Sequence, residues 1–401
     1  MCRSSIFCFN FFQTPSIING IFKHRHEFGS GIPIVNVYDL YQGMAVDLSK
    51  VERVEVSEQD FQRYQIISGD LLFCRSSLKK EGIGWCCYVP ENSEAAVFDC
   101  HIMRIRPNIE EVIPEFIAYY WSHPDVRAKI IENSRTSTMT TMNQQDLSNV
   151  DVLLPSLPEQ KRIVAILNEQ MSAVEKARAA AEVQLQAAKT LPAAYLREIF
   201  DSPEAQKWER KLLGEVANLE RGKFTPRPRN DPRYYDGTYP WIQTGEIERC
   251  GKYIKTYGKT LNEHGLAVSK LFPKGTLVMT IAANIGAVGI LTFDSCMPDS
   301  LVGITPLPEI GDTEFFYYFL LHVREYIQST APQSAQANLK LSLLNPIQIP
   351  LPSLSIQKEL ALKLSAKIEQ AENLQRSLQD QLNTIKQLPA ALLRQAFNGE
   401  L

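Results

Sequence analysis

The sequence predicts a mixed α/β protein built twice over. Two small α/β globules are separated by two long helices that pair antiparallel as a coiled coil, with an internal two-fold repeat. Three observations predict this. The stretch LPSLPEQK at residues 154–161 returns as LPSLSIQK at 351–358, an interval of 351 − 154 = 197 residues. A second pair, LPAAYLREIF at 191–200 and LPAALLRQAF at 388–397, agrees at seven of ten positions with the same interval, 388 − 191 = 197. Everything between the two landmarks therefore has one length in both copies. Surface loops tolerate insertions, whereas a helix in register with a partner does not.

The stretches between the landmarks read as helices. Residues 158–190 are rich in Ala, Glu, Gln, Lys and Leu, without internal Gly or Pro. Apolar residues alternate in steps of three and four: Val164, Leu167, Met171, Val174, then Arg178, Ala181, Leu185 and Ala188. Adding 197 gives Ala361, Leu364, Ile368, Ala371, Gln375, Leu378, Leu382 and Ile385, the same coiled-coil seam. Even its polar interruption coincides, Arg178 in one copy and Gln375 in the other. Each helix of ~33 residues would be ~50 Å long at 1.5 Å per residue. Centring the seams pairs position i with 549 − i and expects Arg178 and Gln375 in neighbouring layers. Two independent amphipathic helices, each packed on its own domain, remain the alternative on pattern alone.

Upstream of each helix a globular segment also repeats. GIPIVNVYDL (31–40) parallels TYPWIQTGEI (238–247), and ISGDLLFCRSS (67–77) parallels FPKGTLVMTIA (272–282), with Gly69 and Gly275 opening an apolar strand. GIG at 82–84 parallels NIG at 284–286, and EFIAYYW (115–121) parallels EFFYYFL (314–320). Short β-branched runs punctuated by Gly, Pro and Asp predict a small mixed domain with a curved sheet. The order along the chain is globule, helix, globule, helix: residues 1–153, 154–207, 208–350 and 351–401.

A chain of 401 residues is too long for one ordinary core. The 42 basic and 45 acidic residues leave −3, which does not mark a nucleic-acid binder. Eight scattered cysteines with no CxxC pair read as reduced thiols of a cytoplasmic protein. No run of 18 apolar residues offers a membrane span. The opening MCRSSIFCFNFF has too short an apolar run for a secretory signal.

These landmarks resemble the DNA-specificity subunit of type I restriction-modification systems. The resemblance rests on the two LPSLxxQK openings, the two LPAAxLRxxF closings, the terminal FNGEL and WERKLLGEV at 208–216, and covers residues about 30 to 401. It implies two target-recognition domains, each reading one half of a split asymmetric double-stranded DNA site, with the helices setting the spacer. It also implies docking to two methyltransferase subunits and two restriction subunits. S-adenosylmethionine, ATP and Mg²⁺ would belong to those partners, none to this chain. One departure stands out: the second globule opens LGEVANLERGKFTPR, and residues 1–29 show no sequence counterpart. The first domain reads as truncated or degenerate at its start.

Sequence reading needs side chains at base edges, while phosphate contacts supply affinity. The strongest cluster lies in ERGKFTPRPRNDPRYY (220–235), where Arg221, Lys223, Arg227, Arg229 and Arg233 face only Glu220 and Asp231. Its prolines keep it out of a helix, and Arg suits guanine or phosphate. A solvated charged loop is the bland alternative. The first half offers Arg75, Lys79 and Lys80. Between the aromatic helix and the last strand, RTSTMTTMN (135–143) aligns with PQSAQANLK (332–340), and Thr138, Thr140, Asn143, Gln333, Gln336 and Asn338 carry hydroxyls and amides suited to base edges and phosphates. His24 and His26 lack companions for a metal set. Trp85, Trp241 and the run FFYYF (315–319) read as core.

No phosphate-binding GxxxxGK[ST] loop occurs, and Asn345-Pro346 is followed by Ile347 rather than by the rest of an amino-methyltransferase signature. The chain reads as non-catalytic. A helical scaffold that assembles proteins without touching DNA is the rival reading.

Overall fold

The computed structural model describes residues 7–9, 17–136, 139–148, 150, 152–226, 228–282, 284–330 and 339–401. By its internal contacts the chain divides into two units, residues 1–182 with 380–401, and residues 183–379.

In the first unit a four-stranded antiparallel sheet runs in the order Ile18–Asn19, Ile102–Ile105, Leu71–Cys74, Cys86–Tyr88. The two central strands are buried at every residue, Arg104 included, which is why apolar residues dominate both rather than alternating with polar ones. A second sheet joins Glu52–Val54, Phe28–Val35 and Val97–Phe98, antiparallel then parallel. The expected single curved sheet is thus divided among several small sheets, these two among them.

The second unit repeats this plan. Its larger sheet runs Ala217–Arg221, Leu301–Pro306, Leu277–Thr280, Val288–Leu291, Tyr253–Ile254. Its smaller one runs Lys259–Leu261, Tyr235–Trp241, Ser295–Cys296, Leu271–Phe272. The correspondence extends to irregularities. The long strand of each smaller sheet has its register break between Phe28 and Ile32 in one unit and between Tyr235 and Tyr239 in the other, both 207 residues apart (235 − 28 and 239 − 32). Gly69 and Gly275 both adopt φ +87°, the left-handed turn that opens the first central strand.

The start of the chain holds places that its sequence hides. Ile18–Asn19 pairs with Ile102–Ile105 as Ala217–Arg221 pairs with Leu301–Pro306. Phe7–Phe9 pairs with Val152–Leu154 as Glu209–Leu212 pairs with Gln348–Leu351.

The aromatic helices, Pro114–Trp121 and Thr313–His322, fill the two cores; Phe315 to Leu320 are all buried. The residue that secures each to the following long helix is the glutamine of the LPSLxxQK motif. Gln160 Oε1 accepts from Ile113 N at 2.9 Å, and its Nε2 donates to Glu111 O at 3.0 Å and Pro155 O at 2.9 Å. Gln357 repeats the set on Asp312 N, Ile310 O and Pro352 O, each at 2.9 Å. Both side chains are fully buried, so every polar atom needs a partner, and each finds one. The duplicated motif is therefore a duplicated clamp.

The long helices run Leu157–Phe200 and Leu354–Phe397, 44 residues each, or ~66 Å. They continue through Pro192 and Pro389, beyond the ~33 residues read as helix from the seam. A proline inside a helix costs roughly 3 kcal/mol. Beyond it, however, Leu196, Ile199 and Phe200 are buried in one core, and Leu393 and Ala396 in the other, which offsets that cost.

Within each unit the two helices pack antiparallel, in a register that differs from the expected one. In the second unit Gln375 Nε2 donates to Ala188 O at 3.0 Å and Lys367 pairs with Glu198 at 2.7 Å. In the first, Arg162 donates to Leu401 O at 2.8 Å. The sums 188 + 375 = 563 and 198 + 367 = 565 replace 549, whereas Leu401 lies past the helix end. The shift of 563 − 549 = 14 is two heptads, so the same seam stays inside. Val164, Leu167, Val174, Leu185, Leu364, Leu378, Leu382 and Ile385 are buried, with Met171 and Ile368 half-buried. Arg178 is not in a layer beside Gln375: it is exposed and paired with Glu175 at 2.7 Å. The ends decide the register. Ile163, Val164 and Leu167 belong to the first core and Ala361 and Leu364 to the second, so the opening turns serve the globules rather than the helix pair.

Candidate nucleic-acid interface

In the second globule the basic loop leaves the edge strand Ala217–Arg221 and is pinned by Phe224, buried against Trp241, Leu261 and Cys296. Gly222 passes so close to the next segment that a Cβ would sit 2.2 Å from Pro298 O. The loop is thus held at its root. Its arginines are less free than the sequence implied. Arg221 Nε donates to Asp299 O, Arg229 pairs with Asp299 Oδ1, and Arg233 pairs with Asp231 at 2.6 Å. Arg233 holds the Asp231 carboxyl below the usual range, its hydrogen bond being the main cause. Lys223 stands exposed, fixed by its backbone to Met297 O and Ser269 Oγ. Lys270, beside the loop, pairs with Glu220. Exposed pairs of this kind are worth about 0–1 kcal/mol. A phosphate can displace such a carboxylate, so the pairing orders the guanidinium groups without sequestering them.

In the first globule two separate sequence candidates become one surface. Ser76–Ser77 pairs with Thr140–Thr141, which pairs with Arg135–Thr136, in a three-stranded ribbon. This sets Arg75, Lys79 and Lys80 beside the segment carrying Thr140 and Asn143. Thr140 is buried, with Oγ1 3.2 Å from Thr136 Oγ1, so it packs the ribbon rather than facing a ligand. Asn143 caps the short helix Gln144–Ser148, its Oδ1 accepting from Asp146 N at 2.8 Å. Arg75 is tied by its backbone to His101 O and Met142 N, with Nη1 3.4 Å from Cys100 O. Lys79 and Lys80 are exposed. Thr138, Arg227, Gln333, Gln336 and Asn338 lie outside the described residues.

Sequence reasoning missed two features here. Arg135 is exposed on the ribbon, with its guanidinium 4.0 Å from Asp146. More substantially, a cavity of about 680 Å³ opens on the first globule, walled by Tyr38, Tyr41, Trp85 and Leu78 with Lys79 at its rim. Trp85, read as core, is half-buried at this wall, whereas Trp241 is core, 2 % exposed. The residues around Trp85 carry no mark of a cavity, because the facing rings, Tyr38 and Tyr41, lie more than forty residues earlier in the chain.

Asp99, Cys100 and His101 bring three metal-type donors within 4.8 Å of one another. His101 Nδ1 lies 2.7 Å from Asp99 Oδ1, and burial pushes the Cys100 thiol up, against the thiolate a metal takes. Three consecutive side chains also fall short of the four ligands of structural zinc. No helix of the described residues is long and apolar enough to cross a membrane.

One α/β globule built twice, each copy with a polar, basic surface and each followed by a long helix, defines a two-part recognition protein rather than a single-site enzyme. Residues 19–184 and 205–384 match the family described as "Type I restriction modification DNA specificity domain", and the chain belongs to that family. It is a DNA-recognition subunit of the type I restriction-modification class and carries no catalytic role of its own. It is 24% identical over 387 residues to the MjaX type I restriction enzyme specificity subunit of Methanocaldococcus jannaschii, covering 92% of this chain and 88% of that one. Against the EcoBI specificity subunit of Escherichia coli the identity is 21%, covering 96% and 84%. Its fold is that of the HsdS subunit from Thermoanaerobacter tengcongensis, with TM-score 0.65, 20% identity and coverage of 92% and 91%. A chain from a structure described for complex assembly and conformational transition of the type I R-M system gives TM-score 0.73, 20% identity and 92% coverage of both.

Proposed function

We propose that each globule reads one half of a split, asymmetric DNA site, and that the long helices set the spacer and dock methyltransferase subunits. The observation that carries this reading is one topology bearing two different surfaces. Different loops of the shared topology present the basic residues, Arg75, Lys79 and Lys80 after Leu71–Cys74 in one globule and Arg221, Lys223 and Arg229 from the end of Ala217–Arg221 onward in the other, so the halves are built alike but equipped to read differently. A net charge of −3 is compatible with DNA binding because the basic residues gather on these loops. The domains span residues 1–153 and 208–350, with helical spacers at 154–207 and 351–401. Strand pairing at Ile18–Asn19 supports a first domain whose edge strand forms despite its unlike sequence.

In the full complex two methyltransferase and two restriction subunits would supply S-adenosylmethionine, ATP and Mg²⁺ chemistry, in the cytoplasm. Co-expression with the neighbouring methyltransferase subunit, followed by single-molecule mapping of methylated DNA, tests the reading. A split asymmetric motif supports it. A stable co-purified complex with no methylated motif would instead favour the protein-scaffold reading.

A further inference from the structure

The aromatic cavity of the first globule has no role in the reading so far, and its walls are specific in chemistry. The Tyr41 hydroxyl lies 3.2 Å from Ser77 Oγ and 3.3 Å from Gly82 O, which fixes the ring. Trp85 meets Tyr41 edge to face, centroids 6.2 Å apart, and is backed by the Arg127 guanidinium at 5.5 Å. Arg127 is itself held on Ile83 O at 2.7 Å. Tyr38, 72% exposed, presents an open ring at the mouth, and Leu78, 83% exposed, projects beside the exposed Lys79 and Lys80. Asn36, Asp99 and His101 bring hydrogen-bonding groups to the lining, where Glu81 also stands. The volume of about 680 Å³ lies within the ~300–1,000 Å³ of small-ligand clefts.

The internal repeat shows that folding does not require these rings. The capped turns at Asn36 and Gln243 correspond, 243 − 36 = 207, so Tyr38 and Tyr41 match Gly245 and Glu248. Leu71 pairs with Tyr88 as Leu277 pairs with Ile290, 290 − 88 = 202, so Trp85 matches Ala287. The second globule forms the same sheets without any of the three rings.

We propose that the first globule, and not the second, takes one unstacked nucleobase of the target DNA into this cavity. The base stacks on Tyr38, Leu78 fills the gap left in the duplex, and Lys79 and Lys80 meet the flanking phosphates. Aromatic stacking accepts any base, and an apolar wedge beside basic residues is how unstacked steps are held. The proposal rests on the reading of the first globule as a DNA-binding domain.

The test is a thermodynamic cycle between side chain and base. The chain, assembled with its methyltransferase partner, is bound to duplexes in which each nucleotide of the first half-site in turn is abasic. Wild type, Tyr38→Ala and Tyr38→Phe are compared, with footprints recorded over both half-sites. At one position the abasic substitution weakens wild type and Tyr38→Phe about tenfold more than Tyr38→Ala, a factor within the range for loss of one stacked base. A base flipped by a partner subunit shows no such coupling to Tyr38. Protection of the first half-site with no coupled position overturns the cavity proposal and leaves the DNA reading intact. Absence of protection there, with the second half-site still protected, overturns the reading of the first globule and this proposal with it.

Discussion

Replacing Gln357 with Leu keeps the shape of the side chain and removes three hydrogen bonds from inside the second unit. The Asp312 N–H and the Ile310 and Pro352 carbonyls are left without their partner. At about 1 kcal/mol net for each bond the cost is ~3 kcal/mol. The unit holds 379 − 183 + 1 = 197 residues. For a domain of that size 1 kcal/mol moves Tm by about 2–4 °C, so Gln357→Leu lowers that transition by roughly 6–12 °C. Gln160→Leu does the same to the first unit, through Ile113 N, Glu111 O and Pro155 O. Calorimetry gives the size, and hydrogen exchange read by mass spectrometry gives the place. Gln357→Leu should speed exchange around residues 310–316 and leave 111–117 unchanged, and Gln160→Leu should do the reverse. A shift below about 2 °C, or loosening in the wrong unit, would refute the clamp.

The basic loop and the paired histidines give further tests. Changing Arg221, Lys223, Arg227 and Arg229 together to Ala should weaken protection of the second half-site and spare the first. The dependence of log K on log salt should flatten by roughly three to four, about 0.9 for each phosphate no longer neutralised; an unchanged footprint and slope would remove the loop from the interface. His322 ends the second aromatic helix, His123 lies two residues past the first, and both lie against the closing phenylalanines, 5.2 Å from Phe200 and 6.1 Å from Phe397. Burial lowers the pKa of both, opposed by Asp125 and Asp201 and reinforced by Arg394 and Arg197. A histidine with a depressed folded pKa adds stability above its unfolded value of ~6.5, and that stability is lost as pH falls through the folded value. The urea midpoint should therefore drop between pH 7.5 and pH 5.5, and less so in His123→Gln or His322→Gln. A midpoint equally pH-dependent in the variants would assign the effect elsewhere.

Much of this fold was legible because a repeat constrains itself. The 197-residue interval located both clamps, and the Gly69 and Gly275 pair marked two turns that need positive φ. The helix register was not legible, for a physical reason. A seam of period 3.5 looks the same after a slide of 14 residues, and only tertiary packing of the helix ends, such as Phe200 against Phe315, chooses among slides. At the candidate interface the sequence showed the charges but not their partners. Asp299, which engages Arg221 and Arg229, lies 70 residues or more along the chain. The cavity around Tyr38, Tyr41 and Trp85 was invisible because its walls are close only after folding.

Removing one heptad from each helix tests the proposal that a paired-helix spacer sets two readers apart. Residues 179–185 and 378–384 face one another under the observed register, since 179 + 384 and 185 + 378 both equal 563. Deleting both stretches keeps the seam in phase and shortens the pair by ~10 Å, about three base pairs of B-form DNA at 3.4 Å each. Methylation mapping of the variant complex should return the same two half-sites with a spacer shorter by about three base pairs. Unchanged spacing, or half-sites of different sequence, would contradict the account.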